Sequence, residues 1–134
     1  HHSELLPDPE VVRPLLKPLL FMGKKEFRAA FGRSAAAWRG KTPLQRNAIV
    51  ALAHRKDTSS LPMLKEKVLT DPRPVIRGTA IWAIGEIASC LGAGDREEWI
   101  RFLQGVKESL EEKGPDGDRL GEELTRALEK LRRT

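Results

Sequence analysis

The sequence contains a single cysteine, Cys90, among its 134 residues. One thiol forms no internal disulfide, and it supplies too few ligands for an iron–sulfur cluster or a structural zinc ion. We therefore expect a cytoplasmic location, where thiols stay reduced. No histidine or aspartate is paired locally with Cys90, so we expect this side chain to be packed near a helix end and not to act as a nucleophile.

Long apolar runs and catalytic motifs are also missing. No run approaches the ~20 residues that span a bilayer, and the start shows no signal-peptide pattern, so no membrane partner is expected. There is no glycine-rich dinucleotide motif, P-loop, HExxH or CxxC. Of the three histidines, His1 and His2 are given no weight as metal ligands, and His54 is interpreted as a helix-end residue that favours the macrodipole. We expect no enzyme activity, metal or cofactor in this chain alone.

Charge is unevenly distributed along the chain. The net charge of +5 is made of −1 over residues 1–23, +9 over 24–77 and −3 over 78–134. A block of +9 indicates either a basic face for a polyanionic partner or an ordinary solvated helix surface, and charge alone leaves both open.

Hydrophobic residues follow the helical period, and one pattern occurs twice. Residues 48–53, AIVALA, align with residues 80–85, AIWAIG, at an offset of 32, and no β alternation is visible. A helix–turn–helix unit that returns after about 32 residues predicts an all-α fold, a HEAT-like α-α superhelix of stacked helical hairpins. We divide it into a Pro-rich helical segment with a basic loop (1–41), a repeat core (42–91) and terminal capping helices (92–134).

Local signals set the expected elements. Thr42 and Asp95 are predicted helix caps, Pro74 is predicted to open a helix, and Asp71-Pro72 to separate the hairpins. Small residues such as Gly85 are expected to let helices approach closely. Further inward-facing predictions include Leu69, Trp82 and Leu91. The expected helices are 9–21, 24–31, 42–56, a short helix from Leu61, 74–91, one from Asp95 and one from Asp118.

Arginines and lysines concentrate at helix starts and in the loops before them. Arg39 and Arg73 occupy near-equivalent places in the repeat, as do Arg46 and Arg77, one residue out of register. Stacked hairpins are expected to align such side chains in a ladder that suits phosphates, because a guanidinium binds phosphate bidentately. The alternative is that they pair with Asp57 and Asp71 and fix the stacking. The candidate RNA-binding residues are Arg33, Trp38, Arg39, Lys41, Arg46, Arg73 and Arg77, with ligand contact favoured for Arg33, Arg39 and Lys41, and stacking favoured for Arg77.

Three stretches carry a more specific signal: EFRAAFG, WRGKTPLQRNAIVALAH and LPMLKEKVLTDPRPVIRGTAIWAIGEI. In order and spacing they closely resemble the carboxy-terminal portion of the epoxyqueuosine reductases, over about residues 5–91 and most densely over 26–87. The resemblance implies a part in queuosine biosynthesis, in which an oxidoreductase removes the epoxide oxygen from epoxyqueuosine in the anticodon loop of certain tRNAs. It also implies cobalamin and two 4Fe-4S clusters, held by cysteine runs upstream of this region.

Those cysteine runs do not occur in this sequence, so no catalytic or cluster residue is carried over. We expect the chain to be a fragment of a longer protein and to be a monomer. Its expected partners are the tRNA anticodon stem-loop and the missing catalytic part of the same protein. Two alternatives stay open: a stand-alone HEAT-repeat scaffold that binds an acidic protein, and an intact enzyme of another type.

Overall fold

The structure is a computed structural model that describes residues 16–32, 40–113 and 118–134. Within these ranges the regular structure is helical, as predicted, and contains no strand. The helices are α1 (Leu16–Leu20), α2 (Lys24–Phe31), α3 (Lys41–His54), α4 (Leu61–Thr70), α5 (Pro74–Ala88), α6 (Ala93–Lys113) and α7 (Asp118–Arg133), with a 3₁₀ turn at Thr58–Ser60. No helix in the described ranges has the length and apolar character needed to cross a membrane.

The helices form two layers, with α5 at the centre. Helix α5 packs between α3 and α7 and also against α4, while α6 packs on α7 and α1 on α3. The isoleucines of α5 explain its central position, because all four are fully buried: Ile76, Ile81, Ile84 and Ile87. Consecutive hairpins thus share one core, which is the stacking that a HEAT-like α-α superhelix requires.

Close packing of α5 on α7 depends on a small residue. A Cβ atom placed on Gly85 would lie 3.1 Å from the Cβ and 3.2 Å from the Cα of Ala127. Nearer the start of α5, a Cβ on Gly78 would meet only Leu120, at an ordinary 3.6 Å. The expectation that Gly85 allows a close helix–helix approach is therefore confirmed.

Turn chemistry separates the hairpins largely as predicted. Helix α4 ends at Thr70 and α5 begins at Pro74. The three residues between the two helices are Asp71, Pro72 and Arg73. Asp57 begins the preceding 3₁₀ turn, where its carboxylate accepts a hydrogen bond from the Ser59 N–H at 3.1 Å. These residues end one helix and begin the next through local backbone geometry and hydrogen bonding.

Two predicted caps are wrong. Helix α3 begins at Lys41 with Gly40 as its cap residue, and Gly40 has φ = 85°, a conformation that glycine adopts readily. Thr42 lies inside the first turn, where its hydroxyl accepts a hydrogen bond from Arg73. Helix α6 begins at Ala93, so Asp95 lies in its first turn, where its charge favours the macrodipole.

Four predicted burials are also corrected. Cys90 is exposed, because α5 ends at Ala88 and the turn that follows faces solvent. Leu69 is 59% exposed, since it lies one residue, about 100° of helix rotation, beyond the buried Val68. Trp82 and Leu91 pack against the core as predicted, but they are only half-buried. Of the predicted helix 9–21, the structure shows a helix from Leu16 to Leu20; Phe21 follows it as a turn, and residues 9–15 lie outside the described residues.

Candidate nucleic-acid interface

A groove of about 780 Å³ crosses α3, α5 and α7. Each helix contributes one stripe of side chains at a spacing of three to four residues, the spacing that places residues on one helix face. The lining residues are Arg46, Val50 and His54 from α3, Pro74, Val75, Gly78, Thr79 and Trp82 from α5, and Arg119, Leu120, Glu123 and Arg126 from α7. We call this surface the basic groove.

Arginine dominates the charge of the basic groove. Arg46 and Arg119 are exposed and have no hydrogen-bond or ion-pair partner among the described residues. Arg126 lies 3.6 Å from Glu123, the one carboxylate in the lining, and its side chain stays 69% exposed. Guanidinium groups on α3 and α7, the two helices that flank α5, thus face one cavity with their donors available, which is a surface for phosphate or carboxylate groups.

An aromatic pair lies in the same groove. The rings of His54 and Trp82 contact edge to face, with centroids 6.3 Å apart and planes at 84°. His54 is exposed at the end of α3, so its ring lies against the half-buried indole from the solvent side. Beside them, Val75 is 48% exposed. The groove therefore places aromatic and aliphatic surface next to its cations.

A second cavity of about 280 Å³ continues between α5 and α7. Its lining balances three cations, Arg126, Lys130 and Arg133, against three carboxylates, Glu86, Glu123 and Glu129. Glu86 forms ion pairs with Lys130 and, at 3.8 Å, with Lys56. The excess of positive charge thus belongs to the basic groove and not to this continuation.

Arg73 has a structural partner. Its Nε and Nη2 atoms donate to the two Asp71 carboxylate oxygens at 3.0 and 2.7 Å, and Nη1 donates to the Thr42 hydroxyl at 2.9 Å. The bond from Arg73 to Thr42 joins the start of α5 to the first turn of α3. Burial alone would raise the pKa of Asp71, but hydrogen bonds from the Arg73 side chain and N–H, with the charges of Arg73 and Lys67, lower it to about 2.

Arg77 also faces the protein. Its Nε donates to the Val68 carbonyl oxygen at 2.9 Å, near the end of α4. Lys41 is half-buried as the first residue of α3. The structure therefore does not bring Arg46 and Arg77 together in a ladder: Arg46 lines the basic groove and Arg77 points toward α4. The candidates Arg33, Trp38 and Arg39 lie outside the described residues.

Sequence reasoning missed part of this groove. Arg119 and Arg126 lie within residues 78–134, whose net charge of −3 hid them. A signal was present nonetheless, because Arg119, Arg126 and Arg133 recur every seven residues and so share one helix face. His54 and Trp82 were interpreted as a helix-end residue and a core residue, and their contact across two helices has no local sequence pattern.

No group of three or more His, Cys, Asp or Glu side chains that could hold a metal ion occurs among the described residues. With one cysteine in the whole sequence, these residues do not fit an iron–sulfur cluster. We therefore derive no chemical step through such a group in this chain.

Fold and groove together define a helical-repeat protein with a cationic groove. No protein-family model matches the chain. It is 53% identical to an epoxyqueuosine reductase of Bacillus subtilis over 114 residues, which are 84% of this chain and 30% of that protein. It is also 53% identical to an epoxyqueuosine reductase of Listeria monocytogenes over 104 residues, 77% of this chain and 26% of the relative.

A solved structure of epoxyqueuosine reductase with an epoxyqueuosine-modified tRNA-Tyr stem-loop is similar throughout. It shares a TM-score of 0.75 and 44% identity, over 94% of this chain and 30% of that one. The resemblance seen in the sequence is thereby confirmed: this chain is a relative of the epoxyqueuosine reductases. It spans about 30% of the length of the curated relatives it matches.

Proposed function

We propose that this chain is the tRNA-binding module of an epoxyqueuosine reductase and that it positions the anticodon stem-loop for reduction of epoxyqueuosine to queuosine. The observation that carries the proposal is the basic groove, where Arg46 from α3 and Arg119 and Arg126 from α7 line one cavity. In support, a structural relative is known with a tRNA stem-loop. A cytoplasmic location follows from that substrate.

Positioning is the part of the mechanism that belongs to these residues. Phosphate contacts fix the register and orientation of a nucleic acid without reading its sequence. Arginines on α3 and α7, which both pack on α5, cannot move independently, so phosphates bound by them take a defined place relative to the rest of the enzyme. The reduction itself would belong to a cobalamin and 4Fe-4S part of the full-length protein, outside this region.

The other predicted residues have two different places in this proposal. Lys41, with Arg33, Trp38 and Arg39 before it in the sequence, would extend the contact beyond the start of α3. Arg73 and Arg77 would hold the framework, because their side chains already bind Asp71 and Val68.

Fluorescence anisotropy with an anticodon stem-loop RNA tests the proposal. Binding at low salt is expected, and the logarithm of affinity should fall linearly with the logarithm of salt, by about 0.7 per phosphate contact on a single strand. Absence of binding at low salt would refute it. Polyglutamate is the competitor for the scaffold alternative: if it binds more tightly than the stem-loop, the groove serves an acidic protein instead.

A further inference from the structure

Trp82 occupies a distinctive place on the surface of α5. It lines both the basic groove and the charge-balanced second cavity, so it lies at the boundary between them. On a helix whose isoleucines are fully buried, this large apolar ring is only half-buried. Packing of the core therefore leaves part of the indole uncovered beside the cations.

The neighbouring ring restricts the indole. His54 contacts it at nearly a right angle, 84°, with the centroids 6.3 Å apart, a favourable arrangement for an aromatic pair. A ring held in this way loses little freedom when a second flat group stacks on it, which lowers the cost of binding. The groove volume of about 780 Å³ also lies in the range of small-ligand sites, roughly 300–1,000 Å³.

We propose that Trp82, held by His54, is a stacking platform for an unpaired nucleobase of the RNA strand whose phosphates the groove arginines bind. This inference rests on the proposed function. Charge supports the arrangement, because cations exceed carboxylates on the groove side of Trp82 and equal them on the other side. A duplex keeps its bases stacked on one another, whereas a loop can turn a base outward onto an aromatic ring.

Tryptophan fluorescence tests this directly in the 134-residue chain carrying Trp38→Phe and Trp99→Phe, so that only Trp82 emits. The probes are an anticodon stem-loop RNA and a blunt duplex of equal length, with occupancy followed separately by anisotropy. At equal occupancy we expect the stem-loop to quench Trp82 and the duplex to leave it unchanged. Trp82→Ala should weaken stem-loop binding about tenfold and duplex binding by less than about twofold.

Two further variants keep the test decisive if Trp82→Ala misfolds. Trp82→Phe should retain part of the stem-loop preference, and His54→Ala, at an exposed position, should keep the fold and reduce quenching. Stem-loop binding without quenching, or equal quenching by the duplex, would overturn the stacking proposal and leave phosphate binding intact. No anisotropy change with either RNA for the unaltered chain, which keeps Trp38, would overturn both proposals.

Discussion

Gln45 and Arg77 occupy equivalent positions of the two hairpins, 32 residues apart, and both donate to a backbone carbonyl near the end of an earlier helix. Gln45 Nε2 lies 2.8 Å from the Leu19 oxygen and also within reach of Leu20 and Met22, while Arg77 Nε lies 2.9 Å from the Val68 oxygen. The last carbonyls of a helix lack partners within it, and each side chain supplies one. The repeated position thus joins hairpins, which is why Arg77 does not align with Arg46.

Replacement of Gln45 should test this joint. Gln45 is 1% exposed, so Gln45→Leu removes a buried donor from the Leu19 and Leu20 carbonyl oxygens, and the Leu19 oxygen keeps only the longer bond from the Met22 N–H, at 3.3 Å. We expect the free energy of unfolding to fall by about 1–3 kcal/mol, measured by urea denaturation. Gln104→Leu, on α6 and with exposed hydrogen bonds, is the control and should change it by less than about 0.5 kcal/mol. Equal effects of both variants would contradict the role of Gln45.

Two glycines of α5 provide a matched pair for helix packing. Gly85→Ala places a methyl group against Ala127 and should destabilise the chain by about 1–3 kcal/mol, because α5 and α7 must separate. Gly78→Ala meets only an ordinary contact, so the better helix propensity of alanine should leave stability unchanged or raise it by up to about 1 kcal/mol. Thermal melts of the two variants measure the difference, and a reversed order would refute the close approach at Gly85.

The Asp71–Arg73 pair predicts a pH dependence. The pKa of Asp71 falls from 3.8 to about 2 on folding, so the stabilisation is complete above pH 4–5 and disappears as the pH falls through about 2. At neutral pH, Asp71→Asn should therefore cost about 2 kcal/mol of unfolding free energy. The difference in unfolding free energy between wild type and variant should become smaller as the pH falls from 5 to 2. A difference that stays constant would show that the ionised carboxylate contributes nothing to stability.

Sequence patterns predicted the hairpins because the signals for them are local. Pro74 opens a helix by its own backbone geometry, and Asp71-Pro72 ends one without help from distant residues. The site was harder to predict, since periodicity shows which residues share a helix face but not which helix covers that face. Arg119 reaches the basic groove only because α7 packs on α5, although about forty residues separate their starts. The domain division at 41/42 and 91/92 stays a prediction.

The central claim is that the groove arginines bind RNA, and one comparison tests it most directly. The measurement is the salt dependence of stem-loop binding for three chains: wild type, a variant with Arg46→Gln, Arg119→Gln and Arg126→Gln, and a control with Arg101→Gln, an exposed arginine of α6 outside the groove. For the triple variant, the account predicts weaker binding and a slope of log affinity against log salt that is shallower by about 2. The slope of the control should differ from that of wild type by less than about 0.7. A triple variant that binds with the slope and affinity of wild type would contradict it.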